Sequence, residues 1–260
     1  MPPLKELHYF DLFGRTQTST PRPRDEWDRR FLERLKRLSE RAYLDLDGYA
    51  GLFETKRALL SGDITPAYSG LSEEVIEQIV ARFPDAKVIF FARDPVERAW
   101  SWLSMAARDK TVPAFDPEDA EAVARNLLHP GALIRSFPSK IVARWRRYVR
   151  PGLFRVFFFD DLQQNPREMR RAVLEFLGAD PSKPSGRLSP EDNPAGEVKK
   201  LPLTDEVRAR LVQFFRVELD ACACELGGAA KTWPARYGVC LLWLFAQFID
   251  SLDLFVGCAA

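Results

Sequence analysis

One stretch of the sequence combines residue types that could bind a phosphate group. Residues 87–92 form a short unbroken apolar run, which is typical of a strand buried on both faces of a parallel sheet. Arg93 follows directly, and Asp94 and Pro95 are residue types that cap and begin a helix. Ser101 lies two turns further along this predicted helix. A guanidinium, a hydroxyl and the free amides of a helix N-terminus together suit a phosphate, although the same spacing also fits a structural ion pair.

The elements that would position this segment can be predicted from hydrophobic periodicity and capping residues. A second buried strand is predicted at residues 153–159, with Asp160 and Asp161 as the turn and a helix that begins at Pro166 and ends at Gly178. Further helices are predicted at residues 25–38, 72–83, 134–149 and 204–226, and loops at residues 14–24, 62–68 and 179–203. This order predicts a three-layer α/β domain with a mainly parallel sheet flanked by helices. In such sheets ligands bind at the carboxyl ends of the strands, which is where Arg93 lies.

The composition is that of a soluble globular protein without a dominant charge. The chain has 260 residues, of which 46% are hydrophobic and 29% charged, and its formal net charge is +1. We therefore expect one medium domain, with two small domains as the alternative. No nucleic-acid partner is expected, because there is no basic stripe. No apolar run follows a basic region at the start, so no secretory signal is predicted and a cytoplasmic location is expected.

The cysteines and histidines give little reason to expect a metal site. The chain has two histidines, His8 and His129, and four cysteines, all in its last fifth. Cys222 and Cys224 fall within a predicted helix, where residues two apart do not face each other. We expect them to be ordinary buried thiols, and no metal is predicted.

The last residues form a separate apolar segment. Residues 239–256 are strongly apolar, but Gln247, Asp250 and Asp253 interrupt them, so a membrane span is not expected. We predict that residues 239–260 form a C-terminal helix that packs on the domain of residues 1–238 or on a second copy in a homodimer. An amphipathic helix at a membrane surface is the alternative.

Four stretches together resemble one enzyme family. Residues 87–101, KVIFFARDPVERAWS, closely resemble the segment that binds the donor's 3'-phosphate in sulfotransferases dependent on PAPS (3'-phosphoadenosine-5'-phosphosulfate). The branch that they most resemble includes the heparan sulfate sulfotransferases and many bacterial relatives. KELHYFD at residues 5–11, GDITPAY at residues 62–68 and FFFDDL at residues 157–162 resemble further family segments in the right order. The resemblance covers about residues 4–237.

The resemblance implies the P-loop NTPase-like sulfotransferase fold and a site for the donor. In the family the Arg at the strand end and the Ser in the helix bind the 3'-phosphate of PAPS, and these residues are Arg93 and Ser101 here. The family also offers a loose precedent for basic groups that reach the donor nucleotide. This precedent suggests that role for Lys199 and Lys200, with two solvated lysines as the alternative.

The resemblance also implies a site for the acceptor. The family's Glu in the first stretch is taken as the general base, which is Glu6 here, with His8 and Asp11 placing the acceptor or tuning the carboxylate. Asp63 and Tyr68 belong to a loop beside the acceptor and are expected to bind it. Asp63 replaces the usual Glu, and its neighbour is Ile where some relatives carry a Lys. By position alone, Glu6 and His8 could equally lie at a frayed terminus without function.

One family element has no counterpart in the sequence. The family begins with a strand, a Gly- and Lys-containing loop and a helix that hold the 5'-phosphosulfate, whereas this sequence begins at the residues that should follow them. Residues 14–20 superficially resemble such a loop, but no buried strand precedes them, so a surface loop is expected. We expect either an N-terminally shortened form of a longer protein or another element in place of this first strand–loop–helix unit.

These observations predict a sulfotransferase that moves a sulfuryl group from PAPS to a hydroxyl or amine acceptor, with a carbohydrate as one candidate. The product of the donor would be 3',5'-diphosphoadenosine (PAP), and no metal would take part. The alternative is a non-catalytic pseudoenzyme or truncated homologue that binds PAP or a protein partner. An interaction role through the C-terminal segment is a third hypothesis.

Overall fold

The structure is a computed structural model that describes residue 4 and residues 6–13, 22–54, 59–183 and 201–239. The chain divides into two compact units. The first unit comprises Met1–Phe90, Ala143–Arg155 and Val173–Pro181, and the second comprises Phe91–Val142, Val156–Ala172 and Ser182–Ala260. The division passes through both strands of the sheet, so each unit contains part of each strand.

Within the described ranges the chain is mostly helical, with one small sheet. The strands are β1 (Val88–Ala92) and β2 (Phe154–Phe158). They are parallel, since the Val88 amide donates to the Leu153 carbonyl and, further along, the Phe91 ring stacks on the Phe157 ring. The helices are α1 (Tyr9–Leu12), α2 (Glu26–Ser39), α3 (Leu46–Ala50), α4 (Glu73–Arg82), α5 (Pro95–Arg108), α6 (Ala120–Leu127), α7 (Pro130–Leu133), α8 (Pro138–Tyr148), α9 (Phe159–Gln164), α10 (Pro166–Leu177), α11 (Asp205–Glu225) and α12 (Trp233–Arg236), with 3-10 helices at Pro66–Gly70 and Gly228–Thr232.

Both predicted strands are confirmed, but the described residues do not form a wide sheet. Within those ranges β1 and β2 pair only with each other, so each has one unpaired edge. The side chain of Phe91 is 43% exposed, and the expectation that this strand is buried on both faces was wrong. An unbroken apolar run shows that a strand can be covered on both faces, but neighbouring elements have to supply that cover.

Capping residues begin four helices where the sequence predicts them. The side chains of Asp25, Ser72, Asp94 and Thr204 each accept a hydrogen bond from a backbone amide in the first turn of α2, α4, α5 and α11. These contacts satisfy amides that the helix itself leaves unpaired. The predicted starts of these four helices are therefore confirmed.

Two local predictions were wrong. Residues 134–149 do not form one helix, because α7 ends at Leu133 and α8 begins at Pro138. Proline disfavours the helical conformation in the residue before it but is well suited to the first turn, so the helix restarts at Pro138. Asp160 and Asp161 do not form a turn but lie in the first turn of α9, where the positive end of the helix dipole favours acidic side chains.

An aromatic core holds the N-terminal segment of the first unit. The rings of Tyr9 and Tyr49 stack with centroids 5.3 Å apart, and the Phe10 ring lies 4.5 Å from Tyr49 and 4.9 Å from Tyr68. Tyr9 and Phe10 are buried although they lie near the start of the sequence. Burial of one such ring stabilises by about 2 kcal/mol, so the core fixes α1 and the residues beside it.

The second unit is built around α5, which packs against α7 and α11. Gly131 of α7 is required by this packing, since a Cβ atom there would lie 2.7 Å from the Trp102 ring of α5. Leu103 on α5 and Phe215 and Leu219 on α11 are fully buried. The packing fixes the N-terminal end of α5, where the sequence predicts the phosphate site.

The cysteine and C-terminal predictions have different outcomes. Cys222 is buried and Cys224 is exposed, so the expectation of two buried thiols was wrong for Cys224, which lies on another side of α11.

None of the helices in the described part of the chain combines the length and apolar character needed to cross a membrane. The predictions for residues 240–260 and for the loop at residues 14–20 fall outside the described residues and stay predictions.

Candidate functional site

In the first unit the imidazole of His8 lies between two carboxylates. Its Nδ1 atom is 2.9 Å from Asp11 Oδ2, and its Nε2 atom is 3.3 Å from Glu6 Oε2. The side chains of Glu6 and His8 are 33% and 34% exposed, so solvent and small molecules can reach both. A reachable carboxylate that is oriented by a histidine has the geometry of a general base. The structure thus brings together the three residues predicted for acceptor activation.

The backbone of His8 has an uncommon conformation. Its φ of 52° and ψ of 28° lie in the left-handed region, which costs a residue with a side chain roughly 1–2 kcal/mol. Such conformations persist where surrounding contacts hold them, and they concentrate at functional sites. Here His8 also serves as the residue before α1, so the same backbone geometry turns the chain into the helix that carries Asp11.

Hydrogen bonds from a second loop hold this conformation. The Thr65 hydroxyl accepts from the amides of Leu7 at 3.1 Å and His8 at 3.5 Å. The Tyr68 hydroxyl accepts from the Tyr9 amide at 3.0 Å. Three successive amides beside Glu6 and His8 are therefore bound by side chains of residues 65–68.

Asp63 lies at the centre of these contacts. Its carboxylate accepts from the hydroxyls of Tyr68 at 2.6 Å, Thr65 at 2.7 Å and Tyr49 at 3.3 Å, and from the Leu7 amide at 3.4 Å. Burial, and after it the charge of Asp63, raises the pKa of Tyr68 and of Tyr49, so both remain protonated donors. The predicted binding of an acceptor by Asp63 and Tyr68 stays a prediction, because all of these contacts are within the protein.

In the second unit Arg93 lies at the predicted place, directly after β1. Its guanidinium is 18% exposed, lies 4.7 Å from the centre of the Phe159 ring, and donates to Glu97 Oε2 at 3.1 Å. This ion pair is the structural alternative that the spacing left open, and it uses one of the five N–H donors of the arginine. Ser101 is half-buried on α5, and its hydroxyl has no hydrogen-bond partner among the described residues.

The first amides of α5 are not free, which corrects one part of the predicted phosphate site. The buried carboxylate of Asp94 accepts from the Val96 amide at 2.9 Å and the Glu97 amide at 3.4 Å. Burial raises the pKa of Asp94 to about 6, although these hydrogen bonds, one from Tyr237 and the charge of Arg236 oppose the rise. An anion here would therefore be bound by side chains rather than by the helix end.

The comparisons with known proteins agree with the residue pattern. A protein-family model with the description "Sulfotransferase family" matches residues 13–183 of this chain. The chain belongs to the sulfotransferase family. The crystal structure of a sulfotransferase from Alicyclobacillus acidocaldarius is similar to this chain, with a TM-score of 0.58 and 20% sequence identity over 89% of this chain and 87% of that chain. The similarity shows a sulfotransferase fold, and no curated protein matches the chain.

The sulfotransferase match divides the candidate residues into two groups. Asp63, Tyr68, Arg93 and Ser101 lie within the matched residues 13–183. The remaining candidates lie outside that range; they are Glu6, His8, Asp11, Lys199 and Lys200. The match that shows the family therefore includes Arg93 but not Glu6. The match does not test the roles of individual residues.

Lys199 and Lys200 fall outside the described residues, so their contact with a donor stays a prediction. The next residue, Leu201, is described, and its carbonyl accepts from the indole Nε1 of Trp100 at 3.2 Å. Trp100 is the neighbour of Ser101 on α5. The chain directly after the two lysines is thus fixed beside the helix that carries Ser101.

A charged network of the second unit was missed by the sequence analysis. Asp94 and Asp160 each lie two residues after a strand, and both are buried. Arg236 donates to Asp160 and lies 3.8 Å from Asp94, while Trp233 Nε1 donates to Asp160 at 3.1 Å and the Tyr237 hydroxyl to Asp94 at 2.9 Å. An acidic residue after each strand could have indicated a cationic partner, but nothing local identifies that partner as Arg236.

An open cavity of about 740 Å³ adjoins this network without including the predicted phosphate residues. It runs along α11, where Arg208 and Arg216 contribute, and reaches Arg236 and Tyr237. The candidate sites of this sulfotransferase are therefore defined by their side-chain chemistry rather than by the cavity.

Proposed function

We propose that this chain transfers a sulfuryl group from PAPS to a hydroxyl or amine acceptor. The observation that carries the proposal is the reachable Glu6 carboxylate beside the His8 imidazole, in a chain of the sulfotransferase family. The resemblance to the branch with the heparan sulfate enzymes supports a carbohydrate acceptor. The same resemblance supports the three-layer fold around a mainly parallel sheet, and the cytoplasmic location remains an expectation.

In the proposed reaction Glu6 removes the proton of the acceptor hydroxyl or amine as that group attacks the sulfur of PAPS. A bond forms between the acceptor atom and sulfur, and the bond between sulfur and the 5'-phosphate oxygen breaks. PAP leaves with the electron pair of that bond, and the proton rests on Glu6. His8 orients the carboxylate, and Asp11 fixes the imidazole from its other side, as their distances of 3.3 and 2.9 Å support.

Arg93 and Ser101 are proposed to bind the 3'-phosphate of the donor. The guanidinium follows β1 directly and retains N–H donors beyond its bond to Glu97, and the hydroxyl of Ser101 has no acceptor among the described residues. A guanidinium and a phosphate form charge-assisted hydrogen bonds, which are about twice as strong as neutral ones. Lys199 and Lys200 are proposed to add positive charge near the same nucleotide.

Calorimetric titration with PAP tests the donor assignment, with adenosine 5'-monophosphate as the ligand that lacks the 3'-phosphate. We expect PAP to bind more tightly than the monophosphate, and Arg93→Ala to remove most of this difference. Arg108→Ala is the matched control, because Arg108 lies on the same helix, is 51% exposed and pairs with Asp109. Equal affinities of the wild type and Arg93→Ala for PAP would overturn the assignment.

A non-catalytic role in binding PAP is the competing function, and it predicts the same titration. The two are separated by turnover: an enzyme releases PAP from PAPS and sulfates an acceptor, whereas a pseudoenzyme binds without either product. A panel of hydroxyl and amine acceptors with mass-spectrometric detection of the sulfated product makes this distinction.

A further inference from the structure

Arg98, which the sequence analysis did not single out, lies next to the proposed phosphate residues on α5. It precedes Ser101 by three residues, and side chains three apart on a helix are neighbours on its surface. Its backbone amide donates to the Asp94 carbonyl at 2.8 Å, which fixes it in the first turns of the helix. The side chain is half-buried, and it makes no hydrogen bond or ion pair with the described residues.

Arg135 belongs to a neighbouring element, and its charge acts on Arg98. It follows α7, which is fixed on α5 by the stacked rings of Trp102 and His129, with centroids 5.1 Å apart. A hydrogen bond also holds the residues after α7, since the Ser136 hydroxyl donates to the Ala132 carbonyl at 2.6 Å. The Nε atom of Arg135 is buried, yet it has no hydrogen-bond partner among the described residues.

Arg98 lies close enough to Arg93 and to Arg135 for both charges to act on it. Burial, and after it the charges of Arg135 and Arg93, lowers the pKa of Arg98 to about 10. Arg93 shares its charge with Glu97, but no carboxylate in the described ranges pairs with Arg98 or Arg135. A buried donor without an acceptor and a half-buried charge without a counter-ion are both costly to a fold.

Three other buried charges of this unit have partners, whereas one oxygen of Asp220 on α11 is buried without one among the described residues. Asp94 and Asp160 share Arg236, and each also accepts from an aromatic side chain. The buried Glu218 accepts from the amide and hydroxyl of Ser139 at 2.8 and 2.9 Å. A missing partner at Arg98 and Arg135 therefore points to a group from outside this part of the chain.

We propose that Arg98 and Arg135 join Arg93 in one oxyanion site that binds a doubly charged phosphate monoester. Three arginines and Glu97 leave two positive charges, and a phosphate monoester at neutral pH carries about two negative charges. The proposal deepens the proposed function, because it adds two residues to the group that would bind the donor's 3'-phosphate. In this site side chains alone bind the phosphate, because the first amides of α5 already donate to Asp94.

Thermal unfolding in matched salts tests this site without any turnover. The midpoint is measured in sodium phosphate and in sodium chloride of equal ionic strength for the wild type, Arg98→Met, Arg135→Met and the control Arg108→Met. We expect phosphate to raise the midpoint of the wild type and the control, and to raise it by less than half as much in the other two. In chloride, Arg98→Met should be at least as stable as the wild type, because an unpaired charge is removed.

One result would overturn the proposal: a lower midpoint of Arg98→Met in chloride together with an unchanged increment from phosphate. Arg98 would then be a structural residue or the partner of another protein segment. Arg135→Lys provides a second variant that keeps the charge but loses the planar fork, and it should retain only part of the increment.

Titration with PAP separates this proposal from the proposed function. We expect Arg98→Met to weaken PAP binding roughly tenfold or more, as expected for one charge-assisted contact. If phosphate binds in an Arg98-dependent way and PAP binds no better than phosphate, the oxyanion site stands and the donor assignment fails. If PAP binding needs Arg93 and is unchanged in Arg98→Met, the donor assignment stands and this proposal fails.

Discussion

Replacement of Asp94 by Asn should change how the stability of the protein depends on pH. Asp94 is 1% exposed, and burial raises its pKa from the ordinary value of 3.8 to about 6. Between these two values the folded protein holds a proton that the unfolded chain has lost. Stability therefore falls as the pH rises through this window, and the ionised Asp94 makes the folded state less stable at neutral pH.

The size of this effect follows from the difference between the two pKa values. At about 1.4 kcal/mol per pH unit, the step from 3.8 to about 6 corresponds to roughly 3 kcal/mol. Asn cannot ionise, but its side-chain oxygen can still accept from the Val96 amide, and its NH2 group, in the place of Oδ2, can donate to the Tyr237 hydroxyl oxygen. The free energy of unfolding of Asp94→Asn should thus gain roughly 3 kcal/mol relative to the wild type between pH 4 and pH 7.

Urea unfolding followed by tryptophan fluorescence at several pH values between 4 and 7.5 measures this difference. Asp85→Asn is the control, because the Asp85 side chain is 91% exposed and the substitution is chemically the same. The free energy of unfolding of this control should change with pH in the same way as that of the wild type. If Asp94→Asn also ran parallel to the wild type across the whole range, the raised pKa and the reasoning from burial would be refuted.

Three further substitutions test individual contacts in the two units. Tyr68→Phe removes the acceptor of the Tyr9 amide and a donor of Asp63, so hydrogen exchange of residues 7–9 should become faster and the free energy of unfolding in urea should fall by about 1–2 kcal/mol; unchanged exchange would contradict the support role. Ser139→Ala removes one donor of the buried Glu218 and should cost about 1–2 kcal/mol in urea unfolding at pH 7. This cost should shrink in acid, because burial raises the pKa of Glu218 and the carboxyl takes up a proton; a constant cost would argue against it. Ser101→Ala should weaken PAP binding roughly tenfold in calorimetry without a change in thermal midpoint, and equal affinity would remove Ser101 from the site.

Local signals were sufficient for the segment that carries Arg93. An apolar run, a capping Asp and a Pro in the first turn predict strand, turn and helix, and β1 and α5 have this arrangement. The same kind of signal located the starts of α2, α4 and α11. These features depend on neighbouring residues in the chain, which is why they can be predicted without tertiary contacts.

Features that depend on distant residues could not be predicted in this way. The width of the sheet depends on which elements lie beside β1, and the exposed Phe91 shows that an apolar run does not determine this. Asp63 contacts the Leu7 amide across 56 residues, and Tyr237 contacts Asp94 across 143 residues. No spacing rule links such pairs, so the support of the His8 segment and the network of Arg236 are visible only in the folded chain.

Incubation of the purified protein with PAPS and a panel of hydroxyl and amine acceptors is the direct test of sulfuryl transfer. The measurement is the mass-spectrometric yield of sulfated acceptor and PAP for the wild type, Glu6→Gln and the control Glu33→Gln, which changes an exposed side chain of α2. We expect both products with the wild type and the control and neither with Glu6→Gln. Equal yields with Glu6→Gln would contradict the role of Glu6, and the absence of product from every acceptor would contradict the proposed sulfuryl transfer.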